Sequence, residues 1–239
     1  MKINKNITKT QVPQEDNKVI SYPNLVDSEN LNENSSVIRN PGTDFKLDKI
    51  SNIVINKSAV ERRCSNYGTR RSIKKDKQAA WLLKAITLMD LTTLSGDDTD
   101  ARVRRLCSKA KQPISNKLEK ILGVESLNLS VAAVCVYHDM LTSAKKALNH
   151  SEVNLAAVST GFPAGLSPLP LRLQEIEYSV DSGANEIDIV ISRRHVLEGN
   201  WEELYKEVKM FREKCGDAHM KTILATGELG NLSNIAKAS

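Results

Sequence analysis

The sequence predicts an α/β fold of the (β/α)₈ barrel class, with about five of the eight strands inside this chain. Strand and helix patterns alternate regularly from residue 77 onward, and crossovers of this length require parallel strands. No Gly-x-Gly-x-x-Gly motif follows the first strand, which disfavours the alternative, an open doubly wound sheet that binds a dinucleotide. Polar side chains within or just after the strands favour a barrel with its active site at the carboxyl ends. They are Asp90, Thr92, Cys135, Thr160, Asp188, Lys221 and Thr226.

Two segments of different composition divide the chain. Residues 1–44 are rich in Asn, Lys, Ser and Glu, contain Pro13, Pro23 and Pro41, and show little hydrophobic periodicity. Such a composition cannot bury enough apolar surface to offset the entropy that is lost on ordering. We therefore expect a flexible polar tail at 1–44 and a partial barrel domain at 45–239.

Amphipathic periodicity and capping signals place the helices. Ser58 is a suitable N-cap for one of them, and Asp98 or Thr99 caps the helix that follows a polar turn. Pro168 and Pro170 should delay the start of the helix after them. We expect helices at 48–53, 58–67, 78–87, 99–111, 116–122, 139–149, 171–182, 201–215 and 231–239.

Apolar, β-branched runs place the strands, because the strands of a parallel sheet are buried on both faces. We expect them at 88–94, 131–137, 155–159, 186–192 and 220–225. Two helices also carry apolar stripes that should face the core. These stripes are Trp81, Leu82 and Leu83 in one helix, and Trp201, Leu204, Val208 and Phe211 in the other.

Composition and spacing argue against several classes of protein. No apolar run approaches the ~18 residues of a membrane span, and the start of the chain lacks the apolar core of a signal peptide, so we expect a soluble cytoplasmic protein. The four cysteines and four histidines show no metal-ligand spacing and no disulfide framework. The net charge is +5, with basic clusters at 62–77 and 102–111. The run at 70–77 could attract phosphates, but no aromatic residue interleaves with this run for stacking bases, which argues against nucleic acid as a partner.

One carboxylate stands out because it lies inside an aliphatic strand. Asp188 occurs within Glu186-Ile187-Asp188-Ile189-Val190-Ile191, and burial of an unpaired carboxylate costs several kcal/mol, roughly. The next predicted strand supplies a cation, Lys221. Such a pair indicates either an active site or a structural ion pair, since perturbed pairs occur in both settings.

These residues suit the chemistry of a Schiff base. A lysine amine in an apolar barrel can attack a carbonyl, and the resulting iminium draws in electrons during carbon–carbon cleavage. An acid/base group must then move protons, and a second cation must keep the amine partly neutral. Asp188 suits the first role and Lys221 the second, or alternatively Lys221 is itself the nucleophile. Asp90 is a further carboxylate in an apolar strand that can orient a lysine or a water.

At these residues the chain resembles the deoxyribose-phosphate aldolases of the longer eukaryotic type, from about residue 48 to residue 239. The resemblance rests on several long segments in the same order. They are Gln78-Ala79-Ala80-Trp81-Leu82-Leu83-Lys84-Ala85, Asp90-Leu91-Thr92-Thr93-Leu94-Ser95-Gly96-Asp97-Asp98-Thr99, Ala132-Ala133-Val134-Cys135-Val136-Tyr137, Gly161-Phe162-Pro163-Ala164-Gly165, Glu186-Ile187-Asp188 and Lys221-Thr222-Ile223-Leu224-Ala225-Thr226-Gly227-Glu228-Leu229-Gly230.

The resemblance implies a class I aldolase that cleaves 2-deoxy-D-ribose 5-phosphate to D-glyceraldehyde 3-phosphate and acetaldehyde, in deoxynucleoside catabolism, without metal or cofactor. It implies that Asp188 shuttles protons, that Lys221 lines the pocket, and that Asp90 and Thr92 belong to its polar network. Cys135 matches a pocket thiol that reactive aldehydes attack. The implied partner is a small phosphorylated sugar, and an oligomer is compatible with the family.

Departures from the family pattern leave three hypotheses open. The Schiff-base lysine of the family is expected in a Phe-Ile-Lys-Thr-Ser-Thr-Gly-like segment beyond residue 239. The chain is therefore a fragment or truncated isoform of an active aldolase, an inactive binding or regulatory scaffold, or a protein in which Lys221 replaces the nucleophile. His138 also stands where the family has Pro, and Ser167-Pro168-Leu169-Pro170-Leu171 replaces a more polar stretch.

Overall fold

The computed structural model describes residues 42–70 and 72–239. The chain divides into two units, residues 1–44 and Phe45–Ser239. Apart from residues 42–44, the segment predicted to be a flexible tail lies outside the described residues, so that expectation stays a prediction. The larger unit, Phe45–Ser239, contains the strands and helices.

Five strands alternate with helices in this unit, as the sequence predicts. The strands are β1 (Asp90–Thr92), β2 (Ala133–Tyr137), β3 (Asn154–Val158), β4 (Glu186–Val190) and β5 (His219–Ile223). The helices are α1 (Leu47–Ser51), α2 (Lys57–Ser65), α3 (Lys75–Ile86), α4 (Asp100–Lys111), α5 (Asn116–Leu122), α6 (Leu141–Leu148), α7 (Leu169–Asp181), α8 (Arg193–Glu198), α9 (Trp201–Lys214) and α10 (Leu232–Ala238). Of these, α8 is the helix that we did not predict. Within the described residues, no helix has both the length and the apolar character that crossing a bilayer requires.

The strands form one parallel sheet in the order β1-β2-β3-β4-β5. An open doubly wound sheet reverses direction at a switch point, so its strand order does not follow the chain. In the part of the chain that the structure describes, each strand pairs with its sequence neighbour. This order is that of an arc of a (β/α) barrel, and it removes the doubly wound alternative.

The two faces of the sheet carry different side chains because successive residues of a strand point to opposite sides. On one face, Val134, Val136, Ile187 and Ile189 belong to a large buried cluster that includes residues of the covering helices. Helices α4, α6, α7 and α9 contribute Val103, Cys107, Leu141, Ala144, Ile176, Leu204 and Phe211 to it. The opposite face carries a small cluster of Ala133, Cys135, Ala156 and Val158.

This second face is concave. The Lys221 ammonium of β5 contacts the Asp90 carboxylate of β1, although three strands separate them. In a flat sheet, four inter-strand steps of about 4.8 Å would place these strands about 19 Å apart. Two side chains cannot span that distance, so the sheet curls and gathers its inward side chains at the centre of the arc.

The helix starts correct two of our expectations. The Asn56 side chain accepts a hydrogen bond from the Ala59 N–H at 3.0 Å, so Asn56 and not Ser58 caps α2. The prediction that two prolines delay α7 is wrong, because Pro168 is its N-cap and Pro170 lies in its first turn. Residues of the first turn donate no intrahelical hydrogen bond, so a proline there removes none. The predicted Thr99 cap is confirmed by its bond from the Arg102 N–H at 3.3 Å.

One predicted core stripe is wrong and the other is confirmed. Trp81 and Leu82 of α3 are 63% and 60% exposed, because no described element covers this side of a helix that leads into the edge strand β1. In α9, Leu204 and Phe211 are buried in the main cluster, with Trp201 and Val208 packed against it. Leu83, the third member of the α3 set, is half-buried. The α9 residues recur at helical spacing and share one face, whereas the three α3 residues are consecutive and point about 100° apart, so one face of α3 cannot bury them all.

Candidate active site

The carboxylate that stands out in the sequence lies opposite its predicted cation. Asp188 of β4 and Lys221 of β5 are register partners, and Asp188 Oδ1 lies 3.2 Å from Lys221 Nζ. The Asp188 side chain is 15% exposed, and this contact is an ion pair without the alignment of a hydrogen bond. The alternation of β4 puts Ile187 and Ile189 among the helices and turns Asp188 to the concave face.

Lys221 is shared by three carboxylates. Its Nζ donates to Glu186 Oε2 at 2.9 Å and to Asp90 Oδ2, in addition to the Asp188 contact. The four residues Asp90, Glu186, Asp188 and Lys221 form what we call the carboxylate cluster. With one cation and three anions, the cluster holds an excess of negative charge among the described residues.

These surroundings keep Lys221 protonated. Burial lowers the pKa of its ammonium, but the hydrogen bonds to Asp90 and Glu186 and the charges of Asp188 and Glu186 outweigh burial and raise it. A nucleophilic amine must lose its proton before it attacks a carbonyl. Lys221 in this state is therefore a fixed cation, which is evidence against its acting as a substitute nucleophile.

The pKa of Asp188 is raised, whereas an ion pair ordinarily lowers the pKa of an aspartate. Burial raises its pKa, and this effect exceeds the opposing effects of Lys221 and of the hydrogen bond from Cys135. A carboxyl group with a raised pKa is a better proton donor and acceptor near neutral pH than an exposed aspartate, which stays ionised. The site therefore contains a carboxyl group suited to moving protons.

Cys135 of β2 contacts this carboxylate of β4 across the intervening strand β3. Its Sγ donates a weak hydrogen bond to Asp188 Oδ2 at 3.5 Å, and the side chain is buried in the small concave-face cluster. Burial and the Asp188 charge raise the pKa of Cys135 to about 12. The thiol therefore stays neutral at physiological pH and acts as a donor to Asp188.

We expect Cys135 to react with iodoacetamide at pH 8 at least about 100-fold more slowly than Cys64, because only the thiolate is nucleophilic. Cys64 is exposed on α2 and serves as the internal control. Replacement of Asp188 by Asn should accelerate alkylation of Cys135, since the anion that raises the thiol pKa is gone. Peptide mapping by mass spectrometry measures both rates. An unchanged Cys135 rate in D188N would show that access to the thiol, and not its pKa, sets the reactivity.

Glu186 belongs to the cluster but was not among our predicted site residues. Its Oε1 accepts a hydrogen bond from Asn154 Nδ2 at 2.8 Å while its Oε2 holds Lys221, so Asn154 of β3 fixes Glu186 in place. The signal was present in the sequence, because residues two apart on a strand share a face. Glu186 therefore had to lie beside Asp188.

Thr92 is on the edge strand β1, two residues after Asp90. Its hydroxyl donates to the Asp90 carbonyl at 3.5 Å. Within the described ranges, no hydrogen bond joins it to a carboxylate of the cluster. Its place in the polar network remains a prediction.

The loop after β1 is held by a buried aspartate. Asp98 accepts hydrogen bonds from the Thr93 hydroxyl at 2.8 Å and the Ser95 N–H at 3.0 Å, and Arg102 contacts it at 3.2 Å. Burial opposes ionisation of Asp98, but these bonds together lower its pKa. The network fixes the carboxyl end of the strand that carries Asp90.

Contacts of Arg193 join the loops after β3 and β5. Arg193 donates to the carbonyls of Pro163 and Ala164 at 3.2 and 3.0 Å and pairs with Glu228 at 2.8 Å. Glu228 thus holds a loop. His138, the departure after β2, begins a single 3₁₀ turn before α6 and makes edge-on ring contacts with Tyr137 and Tyr178.

Comparison with known proteins gives concordant results. A family model described as DeoC/LacD family aldolase matches residues 84–238. The deoxyribose-phosphate aldolase of Mus musculus is 54% identical over 200 residues, which are 83% of this chain and 63% of that protein. The Homo sapiens deoxyribose-phosphate aldolase is 53% identical over 202 residues, 84% of this chain and 64% of that protein. The chain thus spans just under two thirds of the length of these curated relatives.

Solved structures share the fold. A crystal structure from Coccidioides immitis, described as a "putative deoxyribose-phosphate aldolase", superposes with a TM-score of 0.56 at 21% identity and covers 77% of this chain and 66% of that chain. At this identity the likeness concerns the fold alone. It supports the barrel-type arrangement of the five parallel strands and their covering helices.

Proposed function

Because the chain belongs to the DeoC/LacD aldolase family, we propose that it supplies the acid–base part of a deoxyribose-phosphate aldolase site. The proposed reaction cleaves 2-deoxy-D-ribose 5-phosphate to D-glyceraldehyde 3-phosphate and acetaldehyde. The observation that carries the proposal is the mostly buried Asp188, whose pKa is raised and which lies between the cation of Lys221 and the thiol of Cys135.

The roles of the cluster follow from its charges. In the proposed reaction a lysine amine adds to the C1 aldehyde, water leaves the carbinolamine, and the iminium draws in the electron pair of the breaking C2–C3 bond. Asp188 accepts and returns the protons that move at the carbinolamine and enamine stages. Lys221 stays an ammonium that orients Asp188, and Asp90 and Glu186 hold Lys221 in place.

Lys221 is not assigned the nucleophilic role, because its amine is protonated. The resemblance places the nucleophile in a segment that follows the helix at 231–239. A test of the proposal must therefore supply that segment. The mouse relative is 54% identical over 200 residues, which are 63% of its length, so it supplies further chain in a matched context.

We expect a chimaera to be an active aldolase when this chain replaces the matching 200 residues of the mouse enzyme. Its kcat/KM should lie within about tenfold of the mouse value, a difference of only about 1.4 kcal/mol in transition-state stabilisation. Borohydride reduction in the presence of 2-deoxyribose 5-phosphate should trap an adduct on a lysine of the mouse segment. Coupled assay of glyceraldehyde 3-phosphate and peptide mapping of the adduct measure the two results.

Two outcomes contradict the proposal. A chimaera that unfolds cooperatively but does not cleave the substrate would show that the cluster lacks the proposed chemistry. An adduct on Lys221 would show that Lys221 loses its proton in the complex and is the nucleophile. The unmodified mouse enzyme is the positive control for both measurements.

A further inference from the structure

A cavity lies apart from the carboxylate cluster. It has a volume of about 370 Å³ and is lined by the loop at 164–168, the first turns of α7 and α8, and α9. None of its lining residues belongs to the cluster. Four cationic and two anionic side chains line it, which gives an excess of positive charge. They are Arg172, Arg193, Arg194, Lys206, Glu203 and Glu207.

The deepest of these cations has unused donors. Arg172 is 5% exposed and its Nη2 donates to Glu207 Oε2 at 2.7 Å, yet its Nε and Nη1 find no acceptor among the described residues. A buried donor without an acceptor destabilises the folded protein, and more so when it is charged. Buried groups of this kind are normally satisfied by protein, water or a bound ion.

The internal ion pair does not satisfy them. Glu207 already accepts hydrogen bonds from the Ser192 N–H at 2.8 Å, the Ser192 hydroxyl at 2.7 Å and Arg172 Nη2. With these three bonds the carboxylate holds one edge of the guanidinium. The guanidinium carbon also lies 5.2 Å from the centroid of the Phe211 ring, and the remaining Arg172 donors have no acceptor among the described residues.

A second arginine at the cavity is also uncommitted. Arg194, in the first turn of α8, is exposed and forms no ion pair or hydrogen bond through its side chain within residues 42–70 and 72–239. The neighbouring cations are engaged, since Arg193 binds Glu228 and two carbonyls, and Lys206 binds Glu202 and Glu203. Arg172 and Arg194 therefore bring free guanidinium donors from two different helices.

The chain entering α7 adds to the positive potential. Ser167, Pro168 and Leu169, at the start of this 13-residue helix, line the same cavity. The N-terminus of a helix favours an anion through its dipole. Here the contribution is the dipole, because Pro168 and Pro170 have no N–H and the N–H groups of Leu171 and Arg172 already bond to the Pro168 carbonyl. Arginine is the side chain best suited to a phosphate, because its planar donors match the phosphate oxygens.

We propose that this cavity is an anion site separate from the carboxylate cluster, and that it binds the phosphate group of a small metabolite between Arg172 and Arg194. A volume of about 370 Å³ lies within the range of small-molecule pockets and admits a compact phosphate monoester. The site does not depend on the proposed aldolase chemistry, since it shares no residue with the carboxylate cluster. Free phosphate and a sugar phosphate carry the same recognisable group, so the experiment compares them.

The test titrates the full 239-residue chain with inorganic phosphate and, separately, with ribose 5-phosphate, using calorimetry and the Arg Nε–Hε NMR signals. We expect the Arg172 signal to shift and the dissociation constant for phosphate to rise about tenfold in Arg194→Gln, as expected for the loss of a charge-assisted hydrogen bond. Arg194 is exposed, so this variant keeps the fold. Arg104→Gln, an exposed arginine of α4, is the matched control and should bind like the parent.

Each outcome decides the matter. If ribose 5-phosphate binds more tightly than phosphate and this binding is lost in R194Q, the cavity is a metabolite site. If the two ligands bind equally, the cavity recognises the phosphate group alone. An Arg172 signal that does not move at about 20 mM ligand, where a site with a dissociation constant of about 1 mM would be nearly saturated, overturns the proposal. Equal affinities in R194Q and R104Q also overturn it. Asp188→Asn should leave this binding unchanged, which separates the second site from the catalytic one.

Discussion

Asp188→Asn is expected to lower the kcat/KM of the chimaera for 2-deoxyribose 5-phosphate by about 1000-fold. Asparagine keeps the shape of the side chain but cannot take up or release a proton, and positioned acid–base groups contribute about 10²–10⁴-fold. Because the loss falls on steps after binding, kcat should fall much more than KM rises. Steady-state kinetics of the variant and of Asp181→Asn, an exposed aspartate at the end of α7, measure the effect.

The same variant should not be less stable. The pKa of Asp188 is raised in the folded protein, so the folded state binds this proton more tightly than the unfolded chain does. Ionisation of Asp188 therefore costs stability above the folded-state pKa, and this cost disappears as the pH falls below the unfolded value of about 3.9. The neutral Asn removes the cost at pH 7. A Tm lowered by more than about 5 °C would instead attribute the lost activity to unfolding.

Lys221→Met is expected to lower the free energy of unfolding by about 2 kcal/mol at pH 7. The variant leaves Asp90, Glu186 and Asp188 close together without the cation they share. Loss of one partner of a buried pair costs about 3–5 kcal/mol, and the partial exposure of this cluster reduces that figure. Urea denaturation of the parent and variant measures the difference. Lys214→Met, which removes an exposed pair with Glu177, is the matched control and should cost less than about 0.5 kcal/mol.

The pH dependence of this loss has a definite sign. In the parent the Lys221 pKa is raised, so its stabilisation is complete below the unfolded value of about 10.4 and is lost as the pH rises through the folded-state pKa. In the variant, the three carboxylates repel one another without the cation they share. Their protonation then relieves the repulsion, so the destabilisation at pH 7 should shrink toward pH 4. A destabilisation that stays constant between these pH values would mean that lost packing, and not charge, causes it.

The strands and the charged pair could be predicted because each rests on a local pattern. Aliphatic runs between turn signals place β2 to β5 within about two residues. A carboxylate inside such a run requires a cation, and the next strand offered Lys221. Period-two alternation then determines which face carries both residues.

The remaining features depend on contacts between distant segments. Trp81 and Leu82 are apolar but adjacent, so they lack the i, i+3, i+4 spacing of a core stripe, and what packs against α3 decides which of them is covered. The bond from Asn154 to Glu186 and the pair between Arg172 and Glu207 join residues 32 and 35 positions apart. Such partners become visible only when the register of the strands and the crossing of the helices are known.

The contact between Asp90 and Lys221 also measures how far the strands lean. The register aligns Asp90 with Ala133 and Asn154 and, when it is extended across β4 and β5, with Asp217. Lys221 lies four residues beyond that position, so the stagger is one residue for each of the four steps between neighbouring strands. A rise of about 3.3 Å per residue against a spacing of about 4.8 Å corresponds to a tilt of about 35° from the axis. That is the tilt of an eight-stranded barrel with a shear of eight, so one ion pair reports the geometry on which barrel closure depends.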